Sequence, residues 1–345
     1  MIFLNCDYNE GCHPKILERL VETNFYQCLG YGDDKYSKHA RELIKKSLGT
    51  DDCDIYFLVS GTPTNVAALN QILKPYQAVM APDTAHINVH ETGMPEACGH
   101  KILTFPNQNG KITIEQIDEF MRQRNFEAVV EHSVEPKLVY ITYPTEIGTL
   151  YTKKELEDLH AYCKKNDLYL YLDGARLGYG LTAEDGDITF EDIAKNCDMF
   201  YIGGTKCGAL LGEAMVIMND ELKKGFRYII KQTGQLLAKG RAAGIQFETL
   251  FTDNLYIDIC ANANAQACRV RDKLKEKGIE FLYETSTNQQ FPIVPNSFLE
   301  ATKDEYVFDK TKIISDDSSA IRICTSWATK DENIDKLIEI IDKNL

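Results

Sequence analysis

The sequence predicts an α/β protein: a large domain on a mostly parallel seven-stranded sheet, followed by a small C-terminal α+β domain. Three observations carry that prediction. The 345 residues suffice for about two domains and for a core that buries most of the apolar surface. From Ile55 onward, short runs of β-branched and aromatic residues alternate with amphipathic stretches of helical period, as in βα units. Past Ile217 the rhythm changes to long helical segments and then to short isolated strands.

The strand runs lie at 55–59, 78–80, 101–103, 138–141, 168–172, 199–202 and 214–217. Between them, Thr113 with Gln116 reads as a cap before a helix reaching about Arg122, and Thr152 precedes a helix over 153–165. Long helices are expected at about 219–237 and 241–277, then strands at 291–294 and 321–324. The last stretch, 333–345, places Ile334, Leu337, Ile338 and Ile341 at helical spacing. The domains are therefore expected at 1–250 and 251–345, with residues 1–13 open to either the small domain or an interface.

Apolar residues form 44% of the chain and charged residues 26%, which excludes wholesale disorder. Thirty-eight basic against 52 acidic residues give a net charge of −14. That balance argues against nucleic acid or an anionic membrane as the main partner. No apolar run approaches the roughly 20 residues a spanning helix needs, and the first residues lack a basic and then long apolar leader. A soluble, cytoplasmic protein is expected. The 11 cysteines are odd in number and form no CxxC pair, so reduced thiols are expected rather than disulfides. No metal site is expected either: His86 and His90 come nearest, without the carboxylate of an HExxH motif.

Four places carry chemistry. Lys206 sits among glycines and apolar residues in 199–211, where partial burial would make its amine nucleophilic, as a Schiff-base lysine requires. An exposed turn lysine is an equally good reading of that residue alone. Asp173 ends a buried strand at the sheet edge where open α/β sheets bind ligands, and needs a cation such as Arg176 or a protonated ring nitrogen. A simple helix cap is the plainer alternative. Ser60, Gly61 and Thr62 bring small residues and free amides to a helix start, either a phosphate cradle or ordinary capping. No GxGxxG or P-loop motif occurs. His86 follows another strand, where its ring would stack on a flat cofactor or merely pair with His90 at a rim. Taken together, a phosphate cradle, a stacking ring, an acid for a ring nitrogen and an amine for an aldehyde specify pyridoxal 5′-phosphate.

In this order, SGT at 60–62, the DxxH turn at 83–86, DGAR at 173–176 and the glycine-flanked Lys206 resemble the fold-type I, pyridoxal-phosphate-dependent threonine aldolases and β-eliminating lyases. Asp7, the segment 31–36 and the strand 319–323 extend the similarity over nearly the whole chain. The resemblance implies Lys206 as the Schiff-base lysine, Asp173 on the pyridinium nitrogen, His86 on the ring face and Gly61 and Thr62 on the phosphate. Ser60, Arg176 and Thr205 complete the implied cofactor set. Arg176 and Arg322 would hold the substrate carboxylate, and the site would lie between subunits of a homodimer or homotetramer. The implied activity is a carbon–carbon lyase that cleaves L-threonine or L-allo-threonine to glycine and acetaldehyde. β-Elimination, transamination, racemisation and cofactor binding with little turnover are the alternatives.

The chain departs from the family pattern in three places. Cys6 stands where the family has a substrate-binding serine, and is carried over as a substrate-binding residue. The turn at 142–148 lacks the usual histidine, leaving Glu146 or His86 for the proton of the β-hydroxyl. An expected arginine is replaced by Lys239 or shifted to Arg241.

Overall fold

A computed structural model describes residues 1–345. Seven strands form the large sheet: β1 (Asp54–Leu58), β2 (Gln77–Pro82), β3 (Lys101–Phe105), β4 (Glu135–Thr142), β5 (Tyr169–Asp173), β6 (Met199–Gly203) and β7 (Glu213–Ile217). Their spatial order is β1-β7-β6-β5-β4-β2-β3. The pairings from β6 to β3 are parallel, whereas β7 runs antiparallel to both of its neighbours. The reversal follows from chain length. Residues 204–212 are too few for the crossover of a dozen or more residues that a parallel return needs.

The central strands are buried on both faces, and their alternation sends successive side chains to two separate cores. Val139, Ile141, Leu170, Leu172, Phe200 and Ile202 enter one. Tyr140, Tyr171, Met199, Tyr201 and Met215 enter the other, which the helix Gly61–Ile72 covers with Ala67, Ala68 and Leu69. Three tyrosines thus stand side by side on one face of β4, β5 and β6.

Helices form at Ile114–Asn125 and Lys153–Lys165, each opened by a capping box, from Thr113 and Thr152 respectively. Two expected long helices are each divided. The first becomes Asp220–Lys223 and Phe226–Gln232, parted by Gly225 at φ +85°. The second becomes Arg241–Phe251 and Leu255–Glu276, parted by Asp253 and Asn254 at φ 52° and 61°. Glycine, Asp and Asn tolerate this left-handed region, and apolar spacing alone does not reveal such a break.

The C-terminal strands Ile293–Pro295, Asp309–Ile313 and Ser318–Cys324 pair antiparallel, and Asp331–Asn344 forms the last helix. Their core includes Val294, Phe298, Ile321, Ile323, Ile334 and Leu337. Leu4 joins it, and Ile2–Phe3 pairs with Tyr306–Val307, so the first residues of the chain pack with the last hundred. The helix Leu255–Glu276 belongs to both cores: Tyr256, Cys260 and Ala263 lie in the large one, Val270 and Leu274 in the C-terminal one. At its middle the Ala263 carbonyl accepts from Thr325 Oγ1 at 2.7 Å, and Asn264 Nδ2 donates to the Tyr179 carbonyl at 2.8 Å. No helix is long and apolar enough to cross a membrane, and all 11 cysteines are free.

Gly174, just past β5, leaves no room for a side chain: a Cβ there would fall on the carbonyl oxygen of Tyr201 in β6. Neither backbone is able to yield without breaking the sheet. Gly174→Ala is expected to lower unfolding free energy by on the order of 3 kcal/mol in a denaturant titration.

Candidate functional site

A cavity of about 1210 Å³ opens at the carboxyl edge of the sheet, where the parallel strands end. Each strand end delivers a residue to its wall. Ser60, Gly61 and Thr62 follow β1, His86 follows β2, Glu146 follows β4, Asp173 ends β5, and Thr205 and Lys206 follow β6. Arg176, beyond β5, and Arg322, from the C-terminal sheet, also line it.

Asp173 is 3% exposed and accepts four hydrogen bonds. The Tyr201 hydroxyl (2.5 Å) and the Ala175 amide (3.0 Å) donate to Oδ1, while the Tyr140 hydroxyl (2.6 Å) and Asn65 Nδ2 (3.1 Å) donate to Oδ2. Burial first, and the Asp173 charge second, keep both phenols protonated well above the ordinary tyrosine range. Tyr171 donates to Asn65 Oδ1 at 2.9 Å and fixes that amide. Asn65 also donates to Glu91 Oε1 at 2.8 Å, the oxygen that pairs with His86 Nδ1 at 2.7 Å. A continuous buried chain therefore links Asp173 to the His86 ring and holds that ring by its Nδ1 edge.

Lys206 is half-buried, and burial, followed by the charge of Arg176, lowers the pKa of its amine. Arg176 is held by Asp7, with Nε to Oδ2 at 2.7 Å and Nη2 to Oδ1 at 3.0 Å. Burial works against the charge of Arg176, but Asp7 more than offsets it and the arginine pKa is raised. The cation expected beside Asp173 thus goes to Asp7 instead. Arg322 donates from Nη2 to the Asn5 carbonyl at 2.9 Å and pairs with Asp309 at 2.9 Å, while its buried Nε has no partner.

The family profile described as beta-eliminating lyase matches residues 14–297. The chain belongs to the beta-eliminating lyase family. It is 30% identical over 337 residues to a low specificity L-threonine aldolase of Pseudomonas sp. (strain NCIMB 10558), covering 96% of this chain and 94% of that one. A Pseudomonas aeruginosa low specificity L-threonine aldolase shares 28% over 86% of this chain and 85% of its own. Among solved structures, a Leishmania major threonine aldolase matches with a TM-score of 0.96 at 41% identity over 99% of both chains. A Thermus thermophilus aspartate aminotransferase shares the fold, with a TM-score of 0.70 at 15% identity over 100% of this chain and 92% of its own. This family and fold depend on pyridoxal 5′-phosphate.

The wall of this beta-eliminating lyase is shaped for such a group. Ser60, the N-cap of Gly61–Ile72, makes no side-chain capping bond, so the first-turn amides are left to a ligand. A Cβ on Gly61 would have only the Tyr201 hydroxyl nearby, at 3.5 Å, and would occupy the cavity itself.

Other expected residues stand elsewhere. Cys6 is buried with its thiol donating to Asn9 Oδ1 at 3.1 Å, and Tyr8 reaches the cavity in its neighbourhood. Arg241 donates to the carbonyls of Tyr26 and Thr23, and Lys239 is exposed away from the wall.

Glu213 was not foreseen. It starts β7, and because β7 is reversed its first residue returns to the edge where the other strands end. The signal was present in the short link 204–212. Glu213 Oε2 accepts from the Gly204 amide at 2.8 Å, yet burial pushes its carboxyl up to about 7. A carboxyl raised in this way stabilises the fold fully only below its ordinary pKa, and that contribution is lost as pH rises towards 7. Glu213→Gln, neutral throughout, is therefore expected to be relatively more stable at about pH 8 than at about pH 5, by up to roughly 3 kcal/mol in denaturation.

Proposed function

We propose that this protein is a pyridoxal-phosphate-dependent aldolase that cleaves L-threonine and L-allo-threonine to glycine and acetaldehyde. One observation carries the reading: an amine whose protonation burial disfavours, Lys206, shares a cavity with the fully bonded carboxylate of Asp173 and the open helix start at Gly61. The threonine aldolases among the relatives support the choice of substrate.

When bound, pyridoxal phosphate supplies an aldehyde that captures amines and a ring that accepts the electron pair released at the substrate α-carbon. Ser60, Gly61 and Thr62 hold its phosphate at the helix start, with Thr205 beside Lys206. Lys206 would hold the aldehyde and yield it to the substrate amine. Asp173, its oxygens fixed by four protein donors, would pair with the ring nitrogen. His86, whose Nδ1 pairs with Glu91, would lie against the ring face. Asp7 engages Nε and Nη2 of Arg176, leaving Nη1 for the substrate carboxylate, and Arg322 on the same wall serves the same group. Two guanidinium groups on one carboxylate fix which bond at the α-carbon stands perpendicular to the ring, and that orientation selects the bond to break.

A second copy of the chain completes this reading. Leu17, Val21, Phe25 and Leu29 are 51%, 76%, 93% and 68% exposed along Pro14–Thr23 and the segment after it, the kind of apolar surface that marks an interface. A homodimer, or a tetramer of such dimers, covers it, in a cytoplasmic setting that suits 11 free thiols.

The protein loaded with pyridoxal phosphate should release acetaldehyde and glycine in equal amounts from L-threonine. Lys206→Ala should release neither, and ammonia with a 2-keto acid in their place would mean elimination. Asp173→Asn should still take up cofactor but lose on the order of 100-fold or more in kcat. Light scattering should give at least twice the chain mass, and Phe25→Asp with Leu29→Asp should give a monomer.

A further inference from the structure

Aldol cleavage needs a proton acceptor at the β-hydroxyl. The O–H electron pair becomes the second bond of the aldehyde, the Cα–Cβ pair passes to the α-carbon, and the hydroxyl proton must go to a group on the cavity wall. The turn at 142–148 offers no histidine for this.

We infer that Glu146 takes the proton from the substrate β-hydroxyl, an assignment that rests on the aldolase reading above.

The other groups on the wall are engaged elsewhere or stand in water: Asp83 and His90 are exposed, and Asp83 Oδ1 accepts twice from Asn107. Asp173 has four donors on its two oxygens. Glu91 has a fully buried side chain whose Oε1 already serves Asn65 and His86. Asp309 is paired with Arg322, and Glu213 is only 3% exposed and caps the Gly204 amide. Lys206 is displaced once substrate takes its place on the aldehyde; if that freed amine took the hydroxyl proton instead, Glu146→Gln would leave cleavage undiminished. His86 is held at Nδ1, and a ring lying on the cofactor face directs its nitrogens sideways within its own plane.

Glu146 differs from all of these. It is half-buried on the cavity wall, and its two oxygens accept one bond each: Oε1 from the His86 amide at 2.8 Å and Oε2 from Thr142 Oγ1 at 2.9 Å. A carboxylate offers about four lone-pair sites, so about two remain free. The donors come from two different elements, the helix His86–Val89 and the end of β4, and together they fix the orientation of the carboxylate. Facing it are Asp173 from β5, Tyr140 from β4, Tyr151 beyond the turn and His86. Burial pushes the Glu146 carboxyl up to about 7; its own amide, the His86 amide and Thr142 work against the rise, and Asp173 adds to it. A base titrating there is well matched to a reaction near neutrality.

Glu146→Gln keeps the volume and an acceptor for the His86 amide but removes the base. Exchange of the glycine α-proton with heavy water, followed by proton NMR, involves no β-hydroxyl and should survive in this variant. L-Threonine cleavage should fall by roughly 100- to 10,000-fold in kcat, and the acid limb near pH 7 expected of the unaltered enzyme should disappear. In the protein without cofactor, carbon-13-labelled glutamate should show two carboxyls titrating at about 7, one missing in Glu146→Gln and the other in Glu213→Gln. Thr142→Val, which removes one donor to the ionised carboxylate, should move the acid limb to higher pH. Undiminished cleavage in Glu146→Gln, or equal loss of cleavage and glycine exchange, overturns the assignment. Glycine exchange without any threonine cleavage by the unaltered protein overturns the aldolase reading, and the assignment with it.

Discussion

A carboxylate removed from water must find hydrogen bonds for its oxygens or give up its charge. Asp173 is buried with four donors on its two oxygens, and much of the molecule is arranged around them. Two of the donors are phenols on β4 and β6, which flank the aspartate strand, so the register of three strands is tied to one residue. The third comes from the helix that covers that face of the sheet, and the fourth is the amide two residues further along the chain. Because Asn65 serves Glu91 as well, the same network reaches across to His86. Packing that would satisfy a hydrophobic core with any large residue is here restricted to tyrosine and asparagine.

The start of the chain plays a comparable part on the opposite wall. Leu4 is anchored in the C-terminal core, the Asn5 carbonyl meets Arg322, Asp7 clamps Arg176 and Tyr8 reaches the cavity. Residues 4 to 7 therefore join the last strand of the fold to the loop after β5. Asp7 is completely buried, and although burial alone would raise its pKa, Arg176 and then Lys206 bring it down. Its negative charge is what allows two arginines and a lysine to stand around one small cavity.

Much of this could be read from the sequence, for a definite reason. Strands buried on both faces are nearly continuous apolar runs, so the first polar residue after each run marks the sheet edge, as Ser60 and Asp173 do, while Lys206 stands out by the glycines and apolar residues around it. Gly61 and the DGAR turn were legible because small residues there serve the backbone. Contacts between distant segments were not legible. Nothing local to Arg176 announces Asp7, 169 residues earlier. Periodicity likewise passes through Asp253 and Asn254, whose left-handed backbone divides one expected helix into two. Glu213 escaped notice because strand direction was taken from the βα rhythm, and only the length of 204–212 shows that β7 turns back.

The helix Leu255–Glu276 acts as a gauge. Its 22 residues make a rod of about 33 Å set in both cores. At one turn of that rod, Ala263 is fastened to Thr325, three residues past Arg322, and Asn264 to Tyr179, three residues past Arg176. The spacing between the two guanidinium groups is therefore measured off against a single helical turn that touches neither of them. Position 264 thus reaches the segment that carries Arg176 from behind the wall, and a residue that lines no part of the cleft bears on how that wall is set.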